Sequence, residues 1–452
     1  MPALEKLRAQ LRGELIAPES PSYDSARRLW NGMIDKRPAA IARCAGVADV
    51  VATVRFAAEN DVLLAIRGGG HNVAGLASCD GGIVLDMSSL KGIHVDPALR
   101  TVRAQAGTCW GDFDRETHQF GLAATGGLIS TTGIAGLTLG GGFGWLMGRC
   151  GLACDNVLSA QIVTADGAVL TANAGENPDL YWALRGGGGN FGAVVSMEYQ
   201  LYPIATVLGG MLLHPLERAG EALRFYRDFI ANAPDELTVY AGALTTPDGF
   251  QALAFVLCYC GDNLEEGARL LAPLREFGPP VVDLVGPMPY PALQQMLDPA
   301  APFGIHSYWK SNFMNSLSDE AIEIFASYAL SRTSPRTICI LEHCHGQAQR
   351  VPPEATAVSL RTEMLDLVIL ALWDGGDATP HIEWARQFWN AMQPYSAGSV
   401  YVNTLTADEG SRIPEAYGPN YKRLAEVKAK YDPSNLFRVN HNIRPAKAAG
   451  TF

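Results

Sequence analysis

The chain has 452 residues, 48% of them hydrophobic and 18% charged, which is the composition of a folded globular protein with core enough for roughly two or three domains. Its formal charge of −11 excludes a nucleic-acid surface, which needs clustered Lys and Arg, but not a bound dinucleotide, whose phosphates backbone N–H groups alone can hold. Nine scattered cysteines read as reduced thiols of a cytoplasmic protein, and the closest pairs, Cys150/Cys154 and Cys258/Cys260, lack the second pair that a zinc site needs.

The opening MPALEKLRAQLRGELIAPES predicts a short amphipathic helix and carries no apolar leader segment. No stretch approaches the ~20 apolar residues of a membrane span, so no membrane partner is expected. Helical spacing follows at 49–60, then a strand at 62–70 that runs into three glycines. A buried strand is predicted at 81–88, and a hairpin at 92–107 that turns at Asp96 and Pro97. Glycine then recurs densely, in TGGLISTTGIAGLTLGGGFG (125–144) and LRGGGGNFGAVVSMEYQLYP (184–203), as in a backbone that repeatedly approaches a ligand.

From about 207 the texture changes. Strands are predicted at 208–216, 250–261, 337–346 and 359–373, the last one long, with helices at 219–233 and 381–392. Runs of strand with amphipathic helices between them predict an antiparallel sheet backed by helices, and an α+β class overall. The tail reads as a strand at 399–410, a helix and a terminal loop.

Glycine nests bind pyrophosphate without basic side chains. A Rossmann unit would pass from strand through a glycine turn into a helix, whereas RGGGHNVAGLASCDGGIVLD passes from strand to strand. A different dinucleotide fold is required.

The motifs IRGGGHNVAG, AGTCWGDF, TGGLISTTGIAGLTLGGGFGWL, GLACDNVLSAQIVTADG and YWALRGGGGNFGAVV resemble the FAD-binding domain of the berberine-bridge-enzyme-like branch of the vanillyl-alcohol-oxidase flavoproteins. YGPNYKRLAEVKAKYDPSNLFRVNHNIRP resembles that family's C-terminal signature. The resemblance implies a two-part α/β FAD domain (PCMH type) at 37–206, after a helical segment at 1–36. It also implies a substrate domain with a large antiparallel sheet at 207–400, and a segment at 401–452 that returns to close the flavin site.

In that family the histidine of RxGGH is bonded to the flavin 8α-carbon, and His71 matches it; a neutral imidazole is a suitable nucleophile near pH 7. The bland reading is a turn histidine bonded to backbone. Relatives often carry a second, cysteinyl link eleven residues before GGGFG; Ile129 stands there, so attachment through His71 only is expected. By the same resemblance the FAD contacts are Arg67, Gly68, Gly69, Gly70, His71 and Asn72; Gly126, Gly133, Gly136, Gly140 and Gly141; Asp155 and Asn156; Gly189, Asn190, Gly192 and Val194; Asn403; and Asn440 and Asn442. The alternative for the Asp155 and Asn440 pairs is an ordinary turn and an ordinary loop.

Flavin chemistry also needs a base for the substrate's polar proton. In TICILEHCHG, strand alternation sets Ile340, Glu342 and Cys344 on one face and Leu341, His343 and His345 on the other. Glu342 aligns with a catalytic carboxylate of some relatives, and desolvation beside a flavin would raise its pKa; a cross-strand ion pair is the alternative. His343 and His345 lack a third ligand, and no metal is expected. Tyr401, in the family's YxN motif with Asn403, is the second candidate base if Lys310 lies near enough to lower its pKa, and a core packing role is its alternative. Trp110, Trp182, Trp384 and Trp389 read as packing.

The expected activity is an FAD-dependent oxidase. It takes hydride from a small-molecule alcohol (a sugar, a secondary alcohol or a polyketide-like compound), with molecular oxygen as the second substrate and hydrogen peroxide as product. The length and single histidyl link also resemble the bacterial 6-hydroxynicotine-oxidase type, an amine oxidase that lacks the YxN tyrosine, so Tyr401 favours an alcohol. An oxidative cyclase, a dehydrogenase with another acceptor, a flavin carrier without turnover and a His343/His345 metallohydrolase are the rivals.

Overall fold

A computed structural model describes residues 2–362 and 365–447. Four short strands open it: β1 (Glu14–Ile16), β2 (Ala40–Arg43), β3 (Leu64–Arg67) and β4 (Ile83–Asp86), in the order β1-β2-β4-β3. β2, β4 and β3 are parallel, and β1 is antiparallel to β2. β4 is buried along its whole length, because helix Val47–Glu59 covers this sheet with Val50, Val54 and Ala57.

Next come β5 (Ile93–Asp96), β6 (Thr101–Gln105), β7 (Leu122–Ala123), β8 (Val157–Val163), β9 (Val169–Asn173), β10 (Ala193–Gln200) and β11 (Tyr202–Pro203). Of these, β5, β6, β10, β8 and β9 form an antiparallel five-stranded sheet in that order, and β7 pairs with β11.

The third sheet has eight strands: β12 (Thr206–Pro215), β13 (Leu237–Thr245), β14 (Gln251–Tyr259), β15 (Val282–Asp283), β16 (Gly286–Pro289), β17 (His306–Met314), β18 (Ile338–His343) and β19 (Leu365–Trp373). It is antiparallel, in the order β15-β12-β14-β13-β18-β19-β17, with β16 beside β12. Helices Ala219–Ile230, Asp319–Leu330 and Thr379–Met392 pack on one face, around Leu223, Phe255, Phe325, Leu367 and Phe388. The other face turns towards the glycine-rich part and contributes Tyr240, Ala254, Val256 and Val368 to a core shared with Phe143 and Trp145. Two covered faces explain why β14 is apolar at successive positions rather than alternate ones. The α+β class and the large antiparallel sheet backed by helices are as the sequence predicts.

Two predicted strands are corrected. Residues 399–410 form turns, including the 3₁₀ segments Val402–Thr404 and Ala407–Arg412. Here side chains bond locally to backbone: Thr404 Oγ1 donates to Tyr401 O at 2.8 Å, and the Thr406 N–H donates to Glu409 Oε2 at 3.1 Å. Such bonds compete with a strand ladder. The strand predicted over 359–373 begins only at Leu365. Residues 359–362 are irregular, with Arg361 buried against Asp155, and 363–364 lie outside the described residues.

Helix Tyr421–Tyr431 brings the chain's end back to the glycine-rich part. The buried Lys428 Nζ donates to Asn190 O (2.6 Å) and Phe437 O (3.0 Å) and pairs with Asp432 (2.6 Å). Among the described residues, no helix is long and apolar enough to cross a membrane.

Candidate active site

The glycine loops and the inner face of the eight-stranded sheet enclose a cavity of about 1130 Å³. That exceeds the ~300–1,000 Å³ typical of a single small-ligand pocket. Residues 68–72 line it as they leave β3, together with Gly133, Gly136, Gly188, Gly189, Asn190, Gly192 and Val194. Gly69 and Gly133 pack backbone to backbone, and a Cβ on either would run into the other's main chain. Gly136 and Gly189 are the reverse case: a Cβ there would meet nothing within 4 Å, because it would stand in the cavity itself. The first pair holds the cradle shut, and the second leaves it hollow.

His71 sits at the end of the first loop. Its Nε2 lies 2.8 Å from Thr131 Oγ1 and its Nδ1 3.5 Å from Thr132 Oγ1. The ring stacks on Trp30 at 5.0 Å and 19°, and the Trp30 Nε1–H donates to Ala301 O at 2.9 Å. Burial lowers the imidazole pKa to about 4, so the ring is neutral at physiological pH. Trp30, Thr131 and Thr132 were not among the sequence candidates. The threonines belong to a quoted motif, but Trp30 lies before it and no local signal marks it.

The chain's end forms another wall. Asn440 Nδ2 donates to Gly189 O at 3.1 Å, Asn190 Nδ2 to His441 O at 3.2 Å, and the Ile443 N–H to Asn190 Oδ1 at 2.9 Å. Asn440 and His441 line the cavity. Asn440 Oδ1 and His441 Nε2 are buried polar atoms without a protein partner among the described residues. Hollow glycines facing orphaned polar atoms fit a large ligand with many polar groups, as FAD is.

Seven expected contacts support the cradle rather than line it. Arg67 is buried and donates to Ala26 O. Gly126 packs under Trp110, and Gly140 against Asn403. Gly141 takes a φ of +123°, a conformation that glycine tolerates and L residues rarely adopt. Asp155 pairs with Arg361 at 2.7 Å, and Asn156 Nδ2 donates to Cys150 O (3.0 Å) and Leu152 O (2.9 Å). Asn442 is not part of the cavity lining, and its Oδ1 is a buried atom without a protein partner among the described residues.

On the opposite wall, Glu342 of β18 is half-buried, and the space it faces is the cavity. Desolvation pushes its carboxyl up to about 7. The residue opposite it in the ladder is Asp366, an acid, so a cross-strand ion pair is not what this position makes. Tyr401 also lines the cavity, its ring 4.4 Å from Phe143. Its oxygen accepts from the Gly142 N–H (2.8 Å) and from Asn403 Nδ2 (2.7 Å). Burial drives the Tyr401 pKa well up despite those donors. A 3₁₀ turn, not strand alternation, brings Tyr401 and Asn403 together.

Lys310 is corrected. It lies on β17 with its Nζ 3.2 Å from Glu409 and 3.4 Å from Asp408, and over the rings of Tyr308 and Trp389. Two carboxylates hold the ammonium outside the cavity, where it cannot lower the Tyr401 pKa. His343 and His345 stack on each other at 4.3 Å, and His345 Nε2 lies 3.1 Å from Thr238 Oγ1. No group of three or more potential metal ligands occurs among the described residues.

Residues 38–173 match the family described as FAD binding domain, and residues 400–444 the family described as berberine and berberine like. The chain is 33% identical over 456 residues to (R)-6-hydroxynicotine oxidase of Paenarthrobacter nicotinovorans, covering 96% of this chain and 97% of that protein. It is 30% identical over 441 residues to an FAD-linked oxidoreductase of Dictyostelium discoideum, covering 96% and 95%. The crystal structure of 6-hydroxy-D-nicotine oxidase from Arthrobacter nicotinovorans superposes with a TM-score of 0.89 at 30% identity, covering 96% and 98%.

Proposed function

The chain belongs to the berberine-bridge-enzyme-like FAD-linked oxidoreductases, and on that premise we propose that it is an oxidase of small-molecule alcohols that carries its FAD on His71 alone. The net reaction converts a secondary or primary alcohol and molecular oxygen into the carbonyl compound and hydrogen peroxide. Bound in the cavity, FAD supplies the acceptor for the substrate's two electrons and carbon-bound hydrogen. The chain's residues do the rest. The glycine loops and Asn440 hold the cofactor, and His71, kept neutral by burial and oriented by Thr131 and Trp30, tethers it. With Ile129 on the cavity wall, no cysteine stands where a second tether would form.

The observation that carries the reading is Glu342. It is a carboxylate with its pKa raised to about 7, in the same cavity as the tethering histidine. That pKa suits a base that takes the hydroxyl proton at neutral pH. Tyr401, whose oxygen accepts from Gly142 and Asn403, keeps its own proton and offers its O–H as a hydrogen-bond donor to the substrate oxygen. The relative named for 6-hydroxynicotine favours a second reading, amine oxidation in the same cavity. We assign the FAD domain to residues 37–206, the substrate domain to 207–400, and the closing segment to 401–452. Nine unbridged cysteines, eight of them buried, support a cytoplasmic location.

Acid precipitation followed by peptide mass analysis tests the tether: flavin retained on a peptide containing His71 is the expected result, and flavin released to the supernatant overturns it. Peroxide formed in step with substrate consumption separates the oxidase from a dehydrogenase.

A further inference from the structure

The two faces of the eight-stranded sheet are finished differently. Under the helices, Leu257, Leu341 and Leu367 are completely buried. On the cavity face, Met211, Leu244 and Leu370 are only half-buried, and with Val256, Ile340 and Val368 they make a continuous apolar floor. Apolar surface left open inside a protein calls for an apolar occupant. At the middle of the floor Gly242 stands opposite Ala254 in the ladder, so the surface is shallow there and suits a broad, flat group.

Charge on this floor is confined. Glu342 is the ionisable residue of its interior that reaches the cavity, with Asp366 fully buried beside it in the ladder, while Arg336 and Asp374, at the strand ends, pair with each other at 3.1 Å and are both exposed. Thr245 and Thr246 lie at the turn between β13 and β14, also away from the floor's centre. A sugar ring carries a hydroxyl on nearly every carbon. On this floor all but the one facing Glu342 would lose water and gain no partner.

We infer that the substrate of this site is an apolar ring compound bearing a single oxidisable hydroxyl, and not a carbohydrate. The inference rests on the oxidase reading above for the hydroxyl, and on the floor alone for the apolar ring. It narrows the alcohols considered above by discarding sugars, and it makes Val256, Val368 and Leu370 specificity-determining side chains.

The test uses the FAD-loaded enzyme, titrated anaerobically with 1-(2-naphthyl)ethanol and with cellobiose. Perturbation of the flavin absorbance reports binding, its bleaching reports hydride transfer, and peroxide is measured after air is admitted. The naphthyl alcohol is expected to bind at least ~100-fold more tightly than cellobiose, the scale on which a site separates ligands by matched or unmatched polar groups. Leu370→Asn should narrow that ratio about tenfold without changing FAD content. Equal or tighter binding of cellobiose overturns the inference, and so does the absence of any perturbation by the naphthyl alcohol up to its solubility limit. Bleaching by cellobiose with peroxide release overturns the inference while sustaining the oxidase reading. Tight naphthyl binding without bleaching or peroxide sustains the apolar site and removes the oxidase reading.

Discussion

The cavity has two walls made by different means. The cradle is backbone: Gly69 against Gly133, the hollow at Gly136 and Gly189, and the returning chain bonded to Gly189 O and Asn190. The floor is side chain: a strand ladder whose registers are set by main-chain pairing, with Met211, Ile340, Glu342 and Leu370 merely projecting from it. At Gly69 and Gly133 the atoms that shape the ligand site are also those that hold the fold, so the two cannot be changed separately. On the floor they can. A family built this way can keep one cofactor and vary its substrates, since the floor is free to change.

The largest effect that sharpens this contrast is Glu342→Gln. Removing the proposed base should lower kcat by ~10²–10⁴ while FAD content and melting temperature stay near the parent's. In the parent, kcat should rise with pH through about 7 as the Glu342 carboxyl loses its proton, and the variant's profile should be flat there. A parent-like pH limb in the variant would remove Glu342 from the role.

Within the cradle, two glycines should behave oppositely. Gly69→Ala drives a Cβ into the Gly133 backbone and should destabilise by ~1–3 kcal/mol or more, as overpacking does. Gly189→Ala meets no protein atom within 4 Å and should melt like the parent, yet lose FAD occupancy. Calorimetry with and without added FAD distinguishes them, and equal losses of stability would break the division between shut and hollow positions.

Thr131→Val removes the 2.8 Å bond to His71 Nε2. Such bonds contribute ~1 kcal/mol, so the rate at which apoprotein acquires tethered flavin should fall roughly fivefold. In the parent that rate should be level above about pH 5 and fall as the His71 imidazole protonates near pH 4. Reconstitution followed by acid precipitation measures both.

The smallest effect lies outside the cavity lining. Asp114, buried in helix Trp110–His118, accepts from Gln294 Nε2 at 3.1 Å, and desolvation pushes its carboxyl up to about 7. Because the folded state holds this proton more tightly than the unfolded one, the group's contribution to stability is present below pH ~4 and is lost as pH rises towards 7. Asp114→Asn should therefore raise the melting temperature at pH 8 and leave it nearly unchanged at pH 4. A lower melting temperature at pH 8 would show that the carboxylate form is the one the fold prefers.

Legibility followed the same division. The cradle could be read in the sequence because glycine patterns are local and unambiguous: a loop that must approach a ligand needs glycine in the loop itself. His71, Gly133, Gly136, Gly189 and Asn440 all line the cavity. Where side chains act at a distance the reading failed. A role for Lys310 at Tyr401 requires the two to be neighbours, and two carboxylates from the C-terminal segment hold Lys310 elsewhere. Tyr401 and Asn403 do meet, but through a 3₁₀ turn that Thr404 and Thr406 impose. Trp30 stacks on His71 from 41 residues upstream, with nothing nearby in the chain to announce it.

By itself, then, the sequence determined the α+β class, the glycine-lined wall of the cavity and the histidine on it, since each depends on residues close together in the chain. Only the tertiary structure decided which face of the large sheet stays open, that Glu342 and not Lys310 looks into the cavity, and that the floor beneath is apolar. Those facts depend on which strands become neighbours and what covers them, and burial of that kind is set by contacts far apart in sequence.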